Sequence, residues 1–201
     1  MNSALTPWMY SKIKKGDIRS MRKVLQLLSI VVVGIAVALM LISPEMVLIF
    51  GSPKYREAVY VIPPVAASVF FIFIYNILSM PQFYYEKTQF LMAASMAAAG
   101  ANVVLNFIFI RLFGYIAAGY TTLACYMLYS VGHYIVSKQI LVNEGIQENL
   151  MNPGFLLACS VFLIGASIIC NLIFPYRILR YAILLASAGL VFWKKELLLK
   201  T

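Results

Sequence analysis

The feature that most constrains this chain is a series of six long, nearly uncharged apolar runs. They lie at approximately 24–43, 59–80, 90–110, 115–137, 155–174 and 181–199. A bilayer core of roughly 30 Å takes about 20 apolar residues of helix, so each of the first five runs is long enough to cross it. The sixth is the weakest, because its uninterrupted part ends at Trp193 and a run of that length also suits an interfacial segment. Only helices and closed barrels satisfy their backbone groups in lipid, and runs of this length fit helices better than the ten-residue alternating strands of a barrel. The expected fold is all-α: a polytopic membrane bundle of about six transmembrane helices. The composition agrees, with 63% hydrophobic and 11% charged residues, against about 25% charged in a soluble domain. The first run follows basic residues and contains Ala36-Val37-Ala38, but it is longer than the apolar core of a cleaved signal peptide.

Charge placement sets an orientation. The N-terminal segment, the second and fourth loops and the C-terminal end hold eleven Lys and Arg; the alternate loops hold five, namely Lys54, Arg56, Arg111, Arg177 and Arg180. Retention of positive charge on the cytoplasmic side predicts that both termini are cytoplasmic. The net charge of +9 is then a topology signal with attraction to anionic lipid, and nucleic acid is not an expected partner.

Along the chain, residues 1–23 read as a basic cytoplasmic segment carrying the end of a preceding helix, 24–141 as a four-helix membrane unit, 142–154 as a cytoplasmic loop and 155–201 as a C-terminal helix pair. Met46 to Phe50 is too short to span and is expected at the interface or returning toward the next helix. Pro63-Pro64 stand near the start of the second span, where a missing donor costs least, or else kink it. Pro81 is expected to end that span, with Tyr84 and Tyr85 at headgroup height; most other tyrosines, with Trp8 and Trp193, fall near the expected interfaces as an aromatic belt.

No Asp, Glu, Lys or Arg falls in the middle of a run, and no hydrolase, P-loop or zinc-protease motif is present. An enzyme is not expected. Cys125, Cys159 and Cys170 lie within runs, form no cluster with the single histidine, and read as packing residues; no metal and no cofactor are expected. His133, toward the cytoplasmic end of its run, reads as a hydrogen-bonded interfacial residue. The informative polar groups are amides and hydroxyls. Asn102 and Asn106 are four apart on one helical face. They either join helices, at about 0.6 kcal/mol per hydrogen bond, or line a polar cavity that touches substrate. Asn76, Tyr75, Thr121 and Thr122 share that ambiguity, and Arg111 is a weaker, external cavity candidate. Gly114 ends the third span in a tight external hairpin, and Gly100, Ala118 and Gly119 supply small surfaces for helix packing.

The segments "YREAVYVIPP" and "FYYEKTQFLMAASMAAAGANVVLNFIFIRLFGYIAAGYTTLACYMLY", with "SPEMVLIFGSPKY" and "ALTPWMYSKIKKGD" before them, resemble the polysaccharide repeat-unit flippases of the multidrug/oligosaccharidyl-lipid/polysaccharide exporter superfamily. The resemblance runs from Ala4 to Ile140; beyond it only hydropathy agrees. Its recurring positions fall on Glu45, Gly51, Tyr55, Ala58, Lys87, Thr88, Asn102, Asn106, Gly114, Ala118 and Thr122. It implies a bacterial inner-membrane protein that moves undecaprenyl-pyrophosphate-linked oligosaccharide, such as O-antigen units, to the outer leaflet. Two six-helix lobes would rock about a central cavity. Membrane lipids and other polysaccharide assembly proteins would be its partners. Such flippases have twelve to fourteen helices and this chain aligns from the end of the eighth onward, so it is expected to be a C-terminal portion that does not flip lipid alone. The rival readings are a drug or cation exporter of the same superfamily, a membrane polysaccharide polymerase or glycosyltransferase, and a small scaffold acting by helix association.

Overall fold

The computed structural model describes residues 2–193 and is all-helical, with no strand among the described residues. Seven α-helices follow in order: α1 (Asn2–Lys14), α2 (Ile18–Phe50), α3 (Ile62–Tyr84), α4 (Gln89–Phe113), α5 (Ala117–Asn143), α6 (Pro153–Ile173) and α7 (Arg177–Trp193). A 3₁₀ helix (Pro53–Tyr60) precedes α3. Four segments are long and apolar enough to cross a membrane: α2, α3 with the end of the 3₁₀ helix, α4, and α6. The chain is a multi-pass membrane protein. The fourth expected span, α5, has ample length but carries Thr121, Thr122, Ser130, His133 and Ser137, most of which it buries against its neighbours. At 17 residues, or about 26 Å, α7 falls short of a full crossing within the described residues. The end of the sixth run, with Lys194, Lys195 and Lys200, lies outside them.

Local chemistry explains most helix boundaries. Asp17 caps α2 by accepting from the Ser20 amide, and Asn152 caps α6 by accepting from the Gly154 amide, with Pro153 at the first helical position. Pro63 and Pro64 sit in the first turn of α3, where no intrahelical donor is lost. Gly114, at φ +76°, ends α4 in a conformation closed to residues with a Cβ, so the α4–α5 connection is short.

Two prolines lie inside their helices, and one of them, Pro81, was expected to end its span. Pro44 lies inside α2, which continues through Met46–Phe50 to a length of 33 residues, about 50 Å. Proline removes the bond to the carbonyl of Met40 and crowds that turn. The Ser43 hydroxyl donates to the Met40 carbonyl at 2.8 Å, and Arg180 Nη1 donates to the Leu41 carbonyl at 2.7 Å. With the freed Met40 carbonyl satisfied by Ser43, the helix runs on. Pro81 likewise lies within α3, which ends a turn later: Lys87 N donates to the Gln82 carbonyl and Glu86 N to that of Phe83, with Glu86 at φ +58°.

The centre of the bundle is α3, which packs against α1, α2, α5 and α6 and buries Phe70, Phe71, Phe73, Ile74, Ile77 and Leu78. Leu163, Cys170 and Phe174 of the C-terminal part join the same core, as do Met9 and Ile13 of α1. The sequence divisions at 23, 141 and 154 therefore separate segments of one packed core. Most core serines turn inward onto their own helices: Ser29 donates to the Leu25 carbonyl and Ser167 to that of Ile164, which removes the cost of an unpaired hydroxyl. By contrast α4 runs mainly along α5 and has no fully buried residue.

Candidate functional site: a neutral cavity between three helices

A cavity of about 450 Å³ opens between α3, α4 and α5. Helical spacing aims three faces at it. Residues 122, 125, 126 and 129 recur every three or four positions on α5, as 95, 98, 99 and 102 do on α4, while α3 contributes Tyr75. Its wall is aromatic and polar without charge. The ring centroids of Tyr75 and Tyr126 are 6.2 Å apart and nearly parallel, and those of Tyr75 and Tyr129 are 4.7 Å apart. The Tyr129 and Ser95 hydroxyls share a 2.7 Å hydrogen bond that ties α5 to α4.

The two asparagines form one polar chain at this wall. Asn106 Nδ2 donates to Asn102 Oδ1 at 2.9 Å, and the Thr121 hydroxyl reaches Asn106 Oδ1 as well as the Ala118 carbonyl. Asn106 thus joins α4 to α5, while Asn102 lines the cavity with its amide nitrogen not bonded to any described residue. Asn106 therefore fits the helix-joining reading, and Asn102 lies on a cavity wall.

Of the sequence-derived cavity residues, Tyr75, Asn102 and Thr122 line the cavity and Asn106 and Thr121 back it. Two others do not belong to it. Asn76 is one position, or about 100°, round α3 from Tyr75; it donates to the Ile72 carbonyl and faces Leu5 and Thr6 of α1. Arg111 is exposed near the end of α4, its guanidinium stacked 3.8 Å from the Phe107 ring centre. The packing glycines also divide. A Cβ on Gly119 would lie 2.8 Å from Pro64 Cγ and 2.9 Å from the Val61 carbonyl, so this glycine seats α5 against the start of α3 rather than against α4. Gly100 is exposed with nothing near a Cβ, Gly114 acts through its backbone angle, and Ala118 is half-buried with its carbonyl facing Thr121.

Tyr126 and Tyr129 were not singled out in the sequence as cavity residues, and His133 was expected to be hydrogen-bonded. His133 is hydrogen-bonded and fully buried beyond the cavity, edge-on to Tyr129, with Nδ1 2.7 Å from Gln82 Nε2 on α3. The signal was present: Thr122, Tyr126, Tyr129 and His133 are spaced four, three and four apart, which is one helical face. A separate crevice of about 270 Å³ between α3, α5 and α6 is almost wholly apolar and offers no comparable chemistry. Among the described residues no group of His, Cys, Asp and Glu is arranged to hold a metal; Cys125 lines the cavity, and Cys159 and Cys170 pack within α6.

The fold and cavity define a polytopic helical membrane protein with an uncharged polar recess within its helices. No family model, curated protein or solved structure matches the chain.

Proposed function

We propose that the chain serves in the transfer of undecaprenyl-pyrophosphate-linked oligosaccharide across the bacterial cytoplasmic membrane, with both termini in the cytoplasm. The observation that carries the reading is the convergence of Asn102 and Thr122, two positions of the flippase resemblance, with Tyr75 on one uncharged cavity. Such a wall suits a sugar. Amide and hydroxyl groups exchange hydrogen bonds with sugar hydroxyls, and tyrosine faces cover the apolar C–H face of a pyranose ring. The absence of a cation from the cavity lining favours the oligosaccharide over the pyrophosphate as the part held here. The excess of basic residues in the N-terminal segment, the second and fourth loops and the C-terminal end supports the orientation.

The test is photo-crosslinking in cells that make a radiolabelled lipid-linked oligosaccharide. A photoreactive residue in place of Thr122 should capture the labelled lipid, and one in place of Ile169, which is 56% exposed on α6, should not. Equal labelling at both positions, or none at 122, overturns the reading.

A further inference from the structure

At the other end of the bundle from Asp17, the end of α2, the 3₁₀ helix, the end of α6 and the start of α7 enclose a second cavity of about 430 Å³. Its lining includes three guanidiniums, Arg56, Arg177 and Arg180, and one carboxylate, Glu45. The carboxylate is already committed. Arg180 Nη1 and Nη2 donate to its two oxygens at 2.8 Å each, and the Tyr181 hydroxyl donates to Oε1 at 2.9 Å. Arg180 itself is only 2% exposed, yet its Nε has no hydrogen-bond partner among the described residues. Arg56 and Arg177 are exposed and make no ion pair among the described residues. Three cations against one anion leave two positive charges uncompensated. The first turn of α7 lines the same cavity and adds the positive end of a helix dipole.

Guanidinium forks match the oxygen geometry of phosphate. Tyr60 and Phe174, with ring centres 5.6 Å apart, and Pro44, Val47 and Leu48 give the cavity an apolar side. The apolar runs end here, at the level where headgroups lie. We propose that this cavity binds a phosphate group at the membrane surface, carried by an anionic phospholipid headgroup or present as free phosphate. The proposal stands apart from the transport reading, since it uses a different cavity and different residues.

The test uses the full chain in neutral detergent, titrated separately with short-chain phosphatidylglycerol, phosphatidylcholine of the same chain length, and inorganic phosphate. Lipid adducts are read by native mass spectrometry and phosphate by ³¹P line broadening. The variant is Arg56→Gln with Arg177→Gln; both side chains are exposed and unpaired, and retained helical circular dichroism verifies the fold. Lys14→Gln with Lys15→Gln removes the same charge at the opposite end and is the control. We expect binding about tenfold weaker in the arginine variant, the equivalent of about 1.4 kcal/mol, and within about twofold of native in the control. Loss confined to phosphatidylglycerol assigns a lipid headgroup, loss confined to inorganic phosphate assigns the free ion, and loss of both supports the shared phosphate chemistry. If neither ligand separates the arginine variant from the control, the proposal is wrong.

Discussion

The ion pair of Glu45 and Arg180 joins residues 135 positions apart and fastens α7 to the proline turn of α2. Its side chains are 23% and 3% exposed respectively. Removing one member of a buried pair costs about 3–5 kcal/mol, because the other charge is left without its counterion. Glu45 keeps some contact with solvent and Arg180 would retain the Leu41 carbonyl, so Glu45→Ala should fall near the low end, at about 3 kcal/mol. Arg180→Met removes the ion that is hardest to solvate and leaves a partly exposed carboxylate, so it should cost about 1–2 kcal/mol. The double variant should lose much less than the sum, with a coupling of about 2 kcal/mol. Replacing both residues by leucine should return stability to within about 1 kcal/mol of native, since a well-packed apolar pair often equals a buried ionic one. Reversible unfolding in mixed micelles with increasing dodecyl sulfate, followed by circular dichroism, measures all four proteins. A loss below about 0.5 kcal/mol for Glu45→Ala with no coupling would place the pair among solvent-screened surface bridges and refute its role in fastening α7 to α2.

Gly119 and Gly100 should respond to alanine in opposite directions. Gly119→Ala sets a methyl group against the Val61 carbonyl and Pro64; overpacking costs about 1–3 kcal/mol against a helix-propensity gain of about 1 kcal/mol, for a net loss of up to about 2 kcal/mol in the same unfolding assay. Gly100→Ala meets nothing and should be neutral or stabilising by up to about 1 kcal/mol; the reverse order would refute the assigned α3–α5 contact. Asp17 supplies a pH test. Hydrogen bonds from Lys12 and from Ser20 hold its carboxyl down at about 2, so its contribution is complete above the ordinary carboxylate range and is lost as pH falls through about 4 toward 2. Thermal melts should show this acid-side loss in the native chain and a smaller one in Asp17→Asn; identical profiles would remove Asp17 as its source.

The helices were legible because lipid imposes a simple rule, that long uncharged runs become helices. Their ends were less so, because proline reads locally as a stop and its consequence depends on what covers the freed carbonyls. At Pro44 the cover of the freed Met40 carbonyl is Ser43, the adjacent residue, while Arg180, which no local window contains, adds a donor at the neighbouring Leu41 carbonyl. The site follows the same division. Asn102 and Tyr75 stand out as polar groups within apolar runs, but Thr121 and Thr122 point about 100° apart, and only packing decides that Thr122 faces the cavity while Thr121 turns to Asn106. Tyr126 and Tyr129 were passed over because tyrosine reads one residue at a time as packing or interfacial, whereas a face shared with Thr122 and His133 is internal.

The distribution of charge ties these observations together. Lys12–Asp17, Arg22–Glu148 and Lys87–Glu144 join the segments at one end of the bundle, and Glu45–Arg180 joins those at the other. Between them the buried polar residues are Ser, Thr, Gln and His, and the cavity adds Asn and Tyr. A neutral group in a low-dielectric interior costs little once hydrogen-bonded, whereas a charge there requires a dedicated partner. The bundle therefore separates two kinds of recognition by depth: hydrogen bonding and ring contact in the middle, and guanidinium chemistry where the helices meet water. A ligand with an uncharged polar body and an anionic group would meet them at different levels, so substitutions in the central cavity and at the arginine cavity should act independently on its binding.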